Sequence, residues 1–151
     1  MNTSDLTYIS ELSPEDYQKA TVEVAFLLDA FSGTIDNIMG GNTAPVGRIA
    51  GRDTASKLPI HLVDPSLQDI IAVLREQMQA GFDISLDGDQ LKLKSCIIRD
   101  ICALRKLETG GPLCSLFHSY FDGIVNGLLC RPAKSTVISV GDECSLKIAV
   151  Q

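Results

Sequence analysis

Aromatic residues are scarce in this sequence, which contains no tryptophan and only 5% aromatic residues over its 151 positions. Hydrophobic residues nevertheless make up 45% of the chain, so the core must be built from aliphatic side chains. A chain of this length corresponds to one domain and buries enough surface to fold without disulfides. We therefore expect a single domain over residues 1–151.

The sequence also lacks a cluster of basic residues and a long apolar run. Its 13 Lys and Arg residues are scattered, and the net charge is −6. Proteins that contact phosphates need a clustered basic face, so we expect no nucleic acid partner. No stretch of 18 apolar residues occurs, and the first ten residues lack the features of a signal peptide. We expect no membrane partner and a cytoplasmic location, in which the five cysteines stay reduced.

No complete catalytic motif can be read in the chain. Glycine-rich phosphate loops, a GxSxG turn, an HExxH pair and CxxC pairs are all missing. From spacing alone the zinc signal is weak, because structural zinc sites usually show close ligand pairs. The cysteines are best read as small buried hydrophobic residues, with a redox or metal role left open for some of them: Cys96, Cys102, Cys114, Cys130 and Cys144. We expect a protein that is not an enzyme.

Helical signals dominate the first half of the chain. Ser13 and Pro14 start a long helix that Gly40-Gly41 ends, and its apolar residues recur at spacings of three and four. This stripe is formed by Tyr17, Ala20, Val24, Leu27, Leu28, Phe31, Ile35 and Ile38. Because one domain of this size does not cover such a stripe, we expect a homodimer. Further helices are predicted over 44–58, and over 65–80 with Asp64 as N-cap and Gly81 as C-cap.

Strand signals dominate the second half. Alternation around Asp87-Gly88-Asp89 predicts a hairpin, and residues 96–107 are ambiguous between strand and helix. A fourth helix is predicted over 112–129, followed by strands over 136–140 and 145–150. This order favours an α+β fold with four helices packed on a small antiparallel sheet of two hairpins.

Glycine pairs occur one turn apart in two of these helices. Gly47 and Gly51 lie in the second helix, and Gly123 and Gly127 lie in the fourth. Glycine costs roughly 1 kcal/mol relative to alanine in a helix. We therefore expect another backbone, or a ligand, to come close at both places.

Three stretches of the sequence share their pattern with a known family. They are the long helix followed by GRIAGRDTASKL, the helix ending in Gly81-Phe82 before a charged hairpin and Cys96, and the last helix running through FDGI to CRPAKSTVISVGDECSLKIAV. In these stretches the chain resembles the vinyl-4-reductase domain family, which is often described as hydrocarbon-binding. The resemblance implies one vinyl-4-reductase-like domain with a ligand-binding fold shared with vesicle-tethering subunits, and it implies a frequent homodimer.

The resemblance also implies a possible zinc site. Some sensors in the family bind zinc through three cysteines and a glutamate, and Cys96 and Cys144 fall where the first and last of those cysteines would lie. The middle glutamate and cysteine are missing here, so Cys114 or Glu143 would have to replace them. No cofactor is certain, and zinc is the one that the resemblance leaves open. We expect Cys96 and Cys144 to be near each other.

The function that follows is non-enzymatic binding or sensing of a hydrophobic small molecule. We expect its pocket to lie between the helices and the sheet, with six candidate ligand-binding residues: Phe26, Phe31, Phe117, Tyr120, Phe121 and Ile124. Two alternatives stay open. One is a structural or assembly subunit without a ligand, and the other is a cysteine-based redox or metal sensor.

Overall fold

The longest element is helix α1, Pro14–Ile38, in the computed structural model, which describes residues 13–151. Ser13 and Asp16 form a reciprocal capping box at its start, in which each side chain accepts a hydrogen bond from the other residue's backbone N–H. The helix ends before Gly40 and Gly41, which both adopt positive φ. The predicted start and end of this helix are therefore confirmed.

Two shorter helices follow, α2 (Ala44–Lys57) and α3 (Leu67–Gln77). The predicted caps of α3 were wrong, because Ser66 and not Asp64 caps its start and Met78, not Gly81, caps its end. The Ser66 hydroxyl accepts the N–H of Asp69 while the Asp69 carboxylate accepts the N–H of Ser66, a second capping box. This reciprocal pair gives hydrogen-bond acceptors to two backbone N–H groups that have no partner within the helix, which explains why the helix begins after Ser66.

One antiparallel sheet of four strands lies against the helices in the order β1-β2-β4-β3. Its strands are β1 (Phe82–Asp87), β2 (Gln90–Cys96), β3 (Ala133–Ser139) and β4 (Cys144–Val150). Leu91 pairs with Leu146 across β2 and β4, and both side chains are buried. The predicted α+β class with an antiparallel sheet is confirmed.

The ambiguous segment 96–107 contains a helix, α4 (Ile97–Arg105), so the described chain has five helices where four were predicted. The register of β1 on β2 shifts at Lys94, which leaves Cys96 on the buried face at the end of the strand. Ile98, Ile101 and Cys102 then recur at helical spacing and are buried. The apolar pattern alone was compatible with either state because it changes period within a few residues.

Helix α5 (Pro112–Leu129) lies at the centre of the molecule. It packs on all four other helices and on β3, and most of its residues are buried. No helix within residues 13–151 is long and apolar enough to cross a membrane.

Candidate ligand-binding groove

An apolar groove with a volume of about 490 Å³ runs between α1 and α2. Helix α5 forms its floor, since α1 and α2 both pack on α5. Its lining residues come from five elements: Leu28 and Ile35 (α1), Val46, Gly47 and Ala50 (α2), Ile97 and Ile98 (α4), Leu113, Leu116, Phe117 and Tyr120 (α5), and Met78 and Phe82 at the far end. This volume lies within the range of sites for small organic molecules, roughly 300–1,000 Å³.

Small residues set the distance between the floor and the α2 wall. On α2 they are Gly47, Gly51 and Ala55, and on α5 they are Ser119, Gly123 and Gly127, four residues apart in each helix. A side chain at Gly47 would lie 2.6 Å from the Ser119 Cβ, and one at Gly127 would lie 2.6 Å from the Ala55 Cβ. The expectation of a close backbone approach is confirmed for both glycine pairs, and each pair is the partner of the other. The spacing between the α2 wall and the α5 floor of the groove is thereby fixed.

Tyr120 supplies the hydroxyl group of the groove. Its phenol donates a hydrogen bond to the Thr54 hydroxyl at 3.1 Å, which ties the floor to α2. None of the thirteen lining residues carries a charged side chain. The groove therefore suits an uncharged apolar molecule with at most a small polar group.

Phe117 and Tyr120, two of the six predicted ligand-binding residues, line the groove. The Phe117 ring stacks on Phe82 with centroids 4.7 Å apart, and this stack closes the far end of the groove. Phe121 and Ile124 are each only 2% exposed and lie in the core, so they do not line it. Phe121 lies one turn along α5 from Phe117 with ring centroids 6.4 Å apart, and it is turned by about 100° from the lining residue Tyr120.

Phe26 and Phe31, the two predicted lining residues on α1, point elsewhere. Phe26 lies under the Arg105 guanidinium at 3.6 Å from its ring centroid, and Arg105 also binds Asp29 at 3.1 Å. Phe31 is 61% exposed on the outer face of α1. The residues that α1 does present to the groove, Leu28 and Ile35, belong to the predicted stripe and were not singled out. Their place in the stripe was the available signal, but the prediction singled out the phenylalanines of this helix.

Cys96 and Cys144, which we expected to be near each other, lie on the neighbouring strands β2 and β4 but are not opposite each other. Cys144 on β4 pairs with Leu93 on β2. Leu93 and Cys96 pair with Ile84 and Phe82 of β1, which are two residues apart, so Cys96 lies two residue spacings further along the sheet than Leu93. The two cysteines are therefore roughly 7 Å apart along the sheet and one strand spacing of about 4.8 Å apart across it. Together these offsets place the two Cα atoms roughly 8–9 Å apart, which is more than the roughly 7 Å that a disulfide spans.

Zinc does not fit these residues. Cys144 Sγ contacts the Arg99 guanidinium at 3.8 Å, while Cys114, a suggested substitute ligand, contacts Cys102 with sulfur atoms 3.9 Å apart. Across residues 13–151 no three His, Cys, Asp or Glu side chains are grouped as metal ligands would be. Structural zinc needs four such ligands in a tetrahedron.

The Cys102–Cys114 contact is a pair of buried thiols that the sequence did not indicate. Burial, followed by the neighbouring Cys114, raises the pKa of the Cys102 thiol. Only a thiolate attacks a disulfide or peroxide readily, so burial and this direction of shift suppress reactivity. The two cysteines are twelve positions apart in the sequence and gave no local signal, because the contact joins α4 to α5.

Asp122 is the buried carboxyl group of α5, only 3% exposed. Its Oδ2 accepts the N–H of Ser135 on β3 at 3.0 Å, while Oδ1 has no hydrogen-bond partner among the described residues. Burial raises the pKa of this carboxyl, and the Ser135 hydrogen bonds, Arg48 and Lys134 act in the opposite direction. Asp122 faces the sheet side of α5 and is not among the residues that line the groove.

Comparison with known proteins gives a likeness in structure but none in sequence. No family model matches the chain, and no curated protein matches it significantly by sequence. Among solved structures, it is similar to a vinyl-4-reductase family protein from Methanocaldococcus jannaschii, with a TM-score of 0.48 and 11% identity over 99% of this chain and 88% of that chain.

Proposed function

We propose that this protein binds an uncharged hydrophobic small molecule in the groove between α1 and α2 and acts as a binding or sensing module, not as an enzyme. The observation that carries the proposal is the lining itself, which is apolar over five elements and has the volume of a small-molecule site. The resemblance of the sequence to vinyl-4-reductase domains points in the same direction.

Binding to the groove is tested with Nile red, an uncharged dye that fluoresces in apolar surroundings. Ala50 is an exposed residue of the α2 wall, so Ala50→Phe fills the groove without disturbing the core. We expect this variant to lose at least about tenfold in dye affinity, or about 1.4 kcal/mol. Ala103→Phe is the matched control, because Ala103 is an exposed helical alanine on α4 that does not line the groove.

Equal dye affinity in Ala50→Phe and the wild type would contradict the proposal. Mass spectrometry of an organic extract of the purified protein then addresses the natural ligand. A compound that co-purifies with the wild type and with Ala103→Phe, but not with Ala50→Phe, identifies its class.

A second proposal is an assembly subunit that carries no ligand. The exposed apolar face of α1 favours it, since Phe31 and Ile38 are 61% and 77% exposed. Absence of dye binding and of any co-purifying compound would leave this second proposal in place.

A further inference from the structure

A second cleft, with a volume of about 400 Å³, lies between α2 and the β3 edge of the sheet. It shares no lining residue with the apolar groove. Its volume also lies within the range of small-molecule sites, roughly 300–1,000 Å³. The lining residues are Arg48 from α2, Pro132, Ala133, Lys134 and Thr136 from the start of β3, and Ala149 and Gln151 from the end of β4 and beyond.

This cleft is positively charged, although the chain as a whole has a net charge of −6. Arg48 and Lys134 are its charged lining residues, and no acidic residue lines it. Arg48 is half-buried, yet within residues 13–151 its guanidinium forms no ion pair, and neither does the Lys134 ammonium. A guanidinium carries five N–H donors in a planar fork. The cleft therefore offers unpaired donors of positive charge to a ligand.

The other charges on the surrounding elements do not cancel this positive charge. Arg52, one turn beyond Arg48 on α2, and Arg131, just before β3, add to it. Two ion pairs nearby are already neutral: Asp53 with Lys57 on α2, and Lys147 on β4 with Asp89 in the β1–β2 turn. Asp122 is thus the one acidic residue of α2, α5, β3 and β4 that is not in an ion pair.

Asp122 lies directly behind the cleft. Its Oδ2 accepts the N–H of Ser135, the residue between the lining residues Lys134 and Thr136. Its Oδ1 is the buried side-chain polar atom that has no hydrogen-bond partner within residues 13–151. Buried polar atoms of folded proteins normally have a partner, either in the protein or in a bound molecule. An unpartnered buried oxygen beside two unpaired cations indicates a site for a polar molecule.

The kinds of donor in the cleft distinguish between anions. Phosphate sites normally use backbone N–H groups at a helix N-terminus or in a turn. Arg48 is the fifth residue of α2, and the N–H of Ser135 is already bound by Asp122, so the cleft offers side-chain donors instead. A guanidinium fork matches the two oxygens of a carboxylate. The proline and the two alanines of the lining are suited to contact the apolar body of an organic acid.

We propose that this cleft binds a small organic acid, whose carboxylate is held by Arg48 and Lys134. The guanidinium fork orients the carboxylate, and the lysine adds a point charge. Arg48 is two positions from each of the groove residues Val46 and Ala50, which places it on the opposite side of α2 from the groove. The site is therefore separate from the groove and does not depend on the function proposed for it.

Benzoate is the probe that tests this site, and benzamide is its matched control because it keeps the ring but has no charge. The titration is followed by two-dimensional amide NMR in a buffer that contains no other carboxylate and no phosphate. We expect benzoate to shift the amide signals of Lys134, Ser135 and Thr136, and benzamide to leave them unchanged. Equal shifts with both compounds, or benzoate shifts confined to the residues of the groove, would overturn the proposal.

Arg48→Met removes the guanidinium and keeps an apolar stem. We expect it to raise the dissociation constant of benzoate at least about tenfold, and Arg48→Lys to raise it less, because only the fork is lost. Arg52→Met is the matched control, since Arg52 is exposed on the same helix and does not line the cleft, and it should change the constant less than about twofold. Equal effects of the two methionine variants would overturn the site.

Lys134→Met provides a second test that does not touch the α2–α5 contact. Lys134 is exposed, so its replacement leaves the core intact, and we expect benzoate to bind at least about threefold more weakly. An unchanged affinity would remove Lys134 from the site and overturn the two-cation arrangement. Urea denaturation checks that each variant is folded.

Two further measurements define the class of ligand and the independence of the site. Inorganic phosphate should bind at least about fivefold more weakly than benzoate, because the cleft has no backbone N–H donors for it. Phosphate that binds as tightly as benzoate would overturn the assignment to organic acids. Nile red should bind Arg48→Met as it binds the wild type, and a loss of dye affinity in this variant would overturn the separation of the cleft from the groove.

Discussion

Gly51 on α2 and Gly123 on α5 face each other so closely that neither position has room for a side chain. A Cβ atom added at Gly51 would lie 2.8 Å from the Gly123 Cα and would also meet the Tyr120 carbonyl oxygen. A Cβ atom added at Gly123 would meet the Arg48 carbonyl oxygen. These obstacles are backbone atoms, which cannot rotate away as the end of a side chain can. The pair therefore fixes how near the α2 wall stands to the α5 floor.

Gly51→Ala is expected to destabilise the protein by about 1–3 kcal/mol, the usual cost of overfilling a packed interface. Gly33→Ala is the matched control, since Gly33 lies within α1 and a Cβ there has no atom within 4 Å. The control should gain up to about 1 kcal/mol from the better helix propensity of alanine. Urea denaturation measures both changes. A neutral or stabilising Gly51→Ala would show that α2 can move away from α5 at little cost.

Much of this fold could be predicted from local signals in the sequence. Ser13-Pro14 and Gly40-Gly41 marked both ends of α1, because caps depend on residues a few positions apart. The glycine pairs indicated a close approach in each helix. What they could not show is that Gly51 and Gly123 meet each other, since pairing of distant helices leaves no local trace.

The groove was the part least accessible from sequence. Leu28, Ile35, Val46 and Ala50 look like ordinary residues of apolar helix faces, and whether such a residue faces the core or an opening depends on where the next helix lies. Phe121 and Phe117 could not be told apart for the same reason. The Cys102–Cys114 contact and the separation of Cys96 from Cys144 likewise follow from tertiary packing and strand register.

Thiol reactivity should separate Cys130 from the other four cysteines. Cys130 is exposed, while Cys96, Cys102, Cys114 and Cys144 are buried. Burial also raises the pKa values of Cys96 and Cys102, which keeps both as unreactive thiols at neutral pH. Titration with a chromogenic disulfide at pH 7.5 should therefore show one fast thiol in the folded protein and five in denaturant.

Cys130→Ser is expected to remove the fast phase of that titration completely. Pretreatment with hydrogen peroxide should leave the four buried thiols free, as counted after unfolding. Loss of the Cys102 and Cys114 thiols under mild peroxide would contradict this expectation and would favour the cysteine-based sensor over the proposed binding module.

Asp122→Asn should change how stability depends on pH. Since the folded-state pKa of Asp122 lies above its unfolded value, the folded protein holds this proton more tightly. The stabilisation from Asp122 is thus complete below the unfolded pKa of about 3.9 and is lost as pH rises through the folded pKa. The free energy of unfolding of Asp122→Asn minus that of the wild type should therefore rise with pH above about 4. Urea denaturation between pH 4 and 7.5 measures this difference in the free energy of unfolding. A difference that does not change with pH would contradict the raised pKa of Asp122.

Phe117 and Phe121 should respond differently to truncation, because one lines the groove and the other is enclosed by the core. Phe121→Ala is expected to cost about 3–5 kcal/mol of stability, the usual penalty for a buried phenylalanine. Phe117→Ala should cost at least about 1 kcal/mol less, since one side of its ring already faces the groove, although it loses its stack on Phe82.

The gentler variants Phe117→Leu and Phe121→Leu keep the fold for Nile red titration, and only Phe117→Leu should change dye affinity. Equal penalties for the two alanine variants, together with equal dye affinities for the two leucine variants, would show that Phe117 belongs to a filled core and would remove the groove as the binding site.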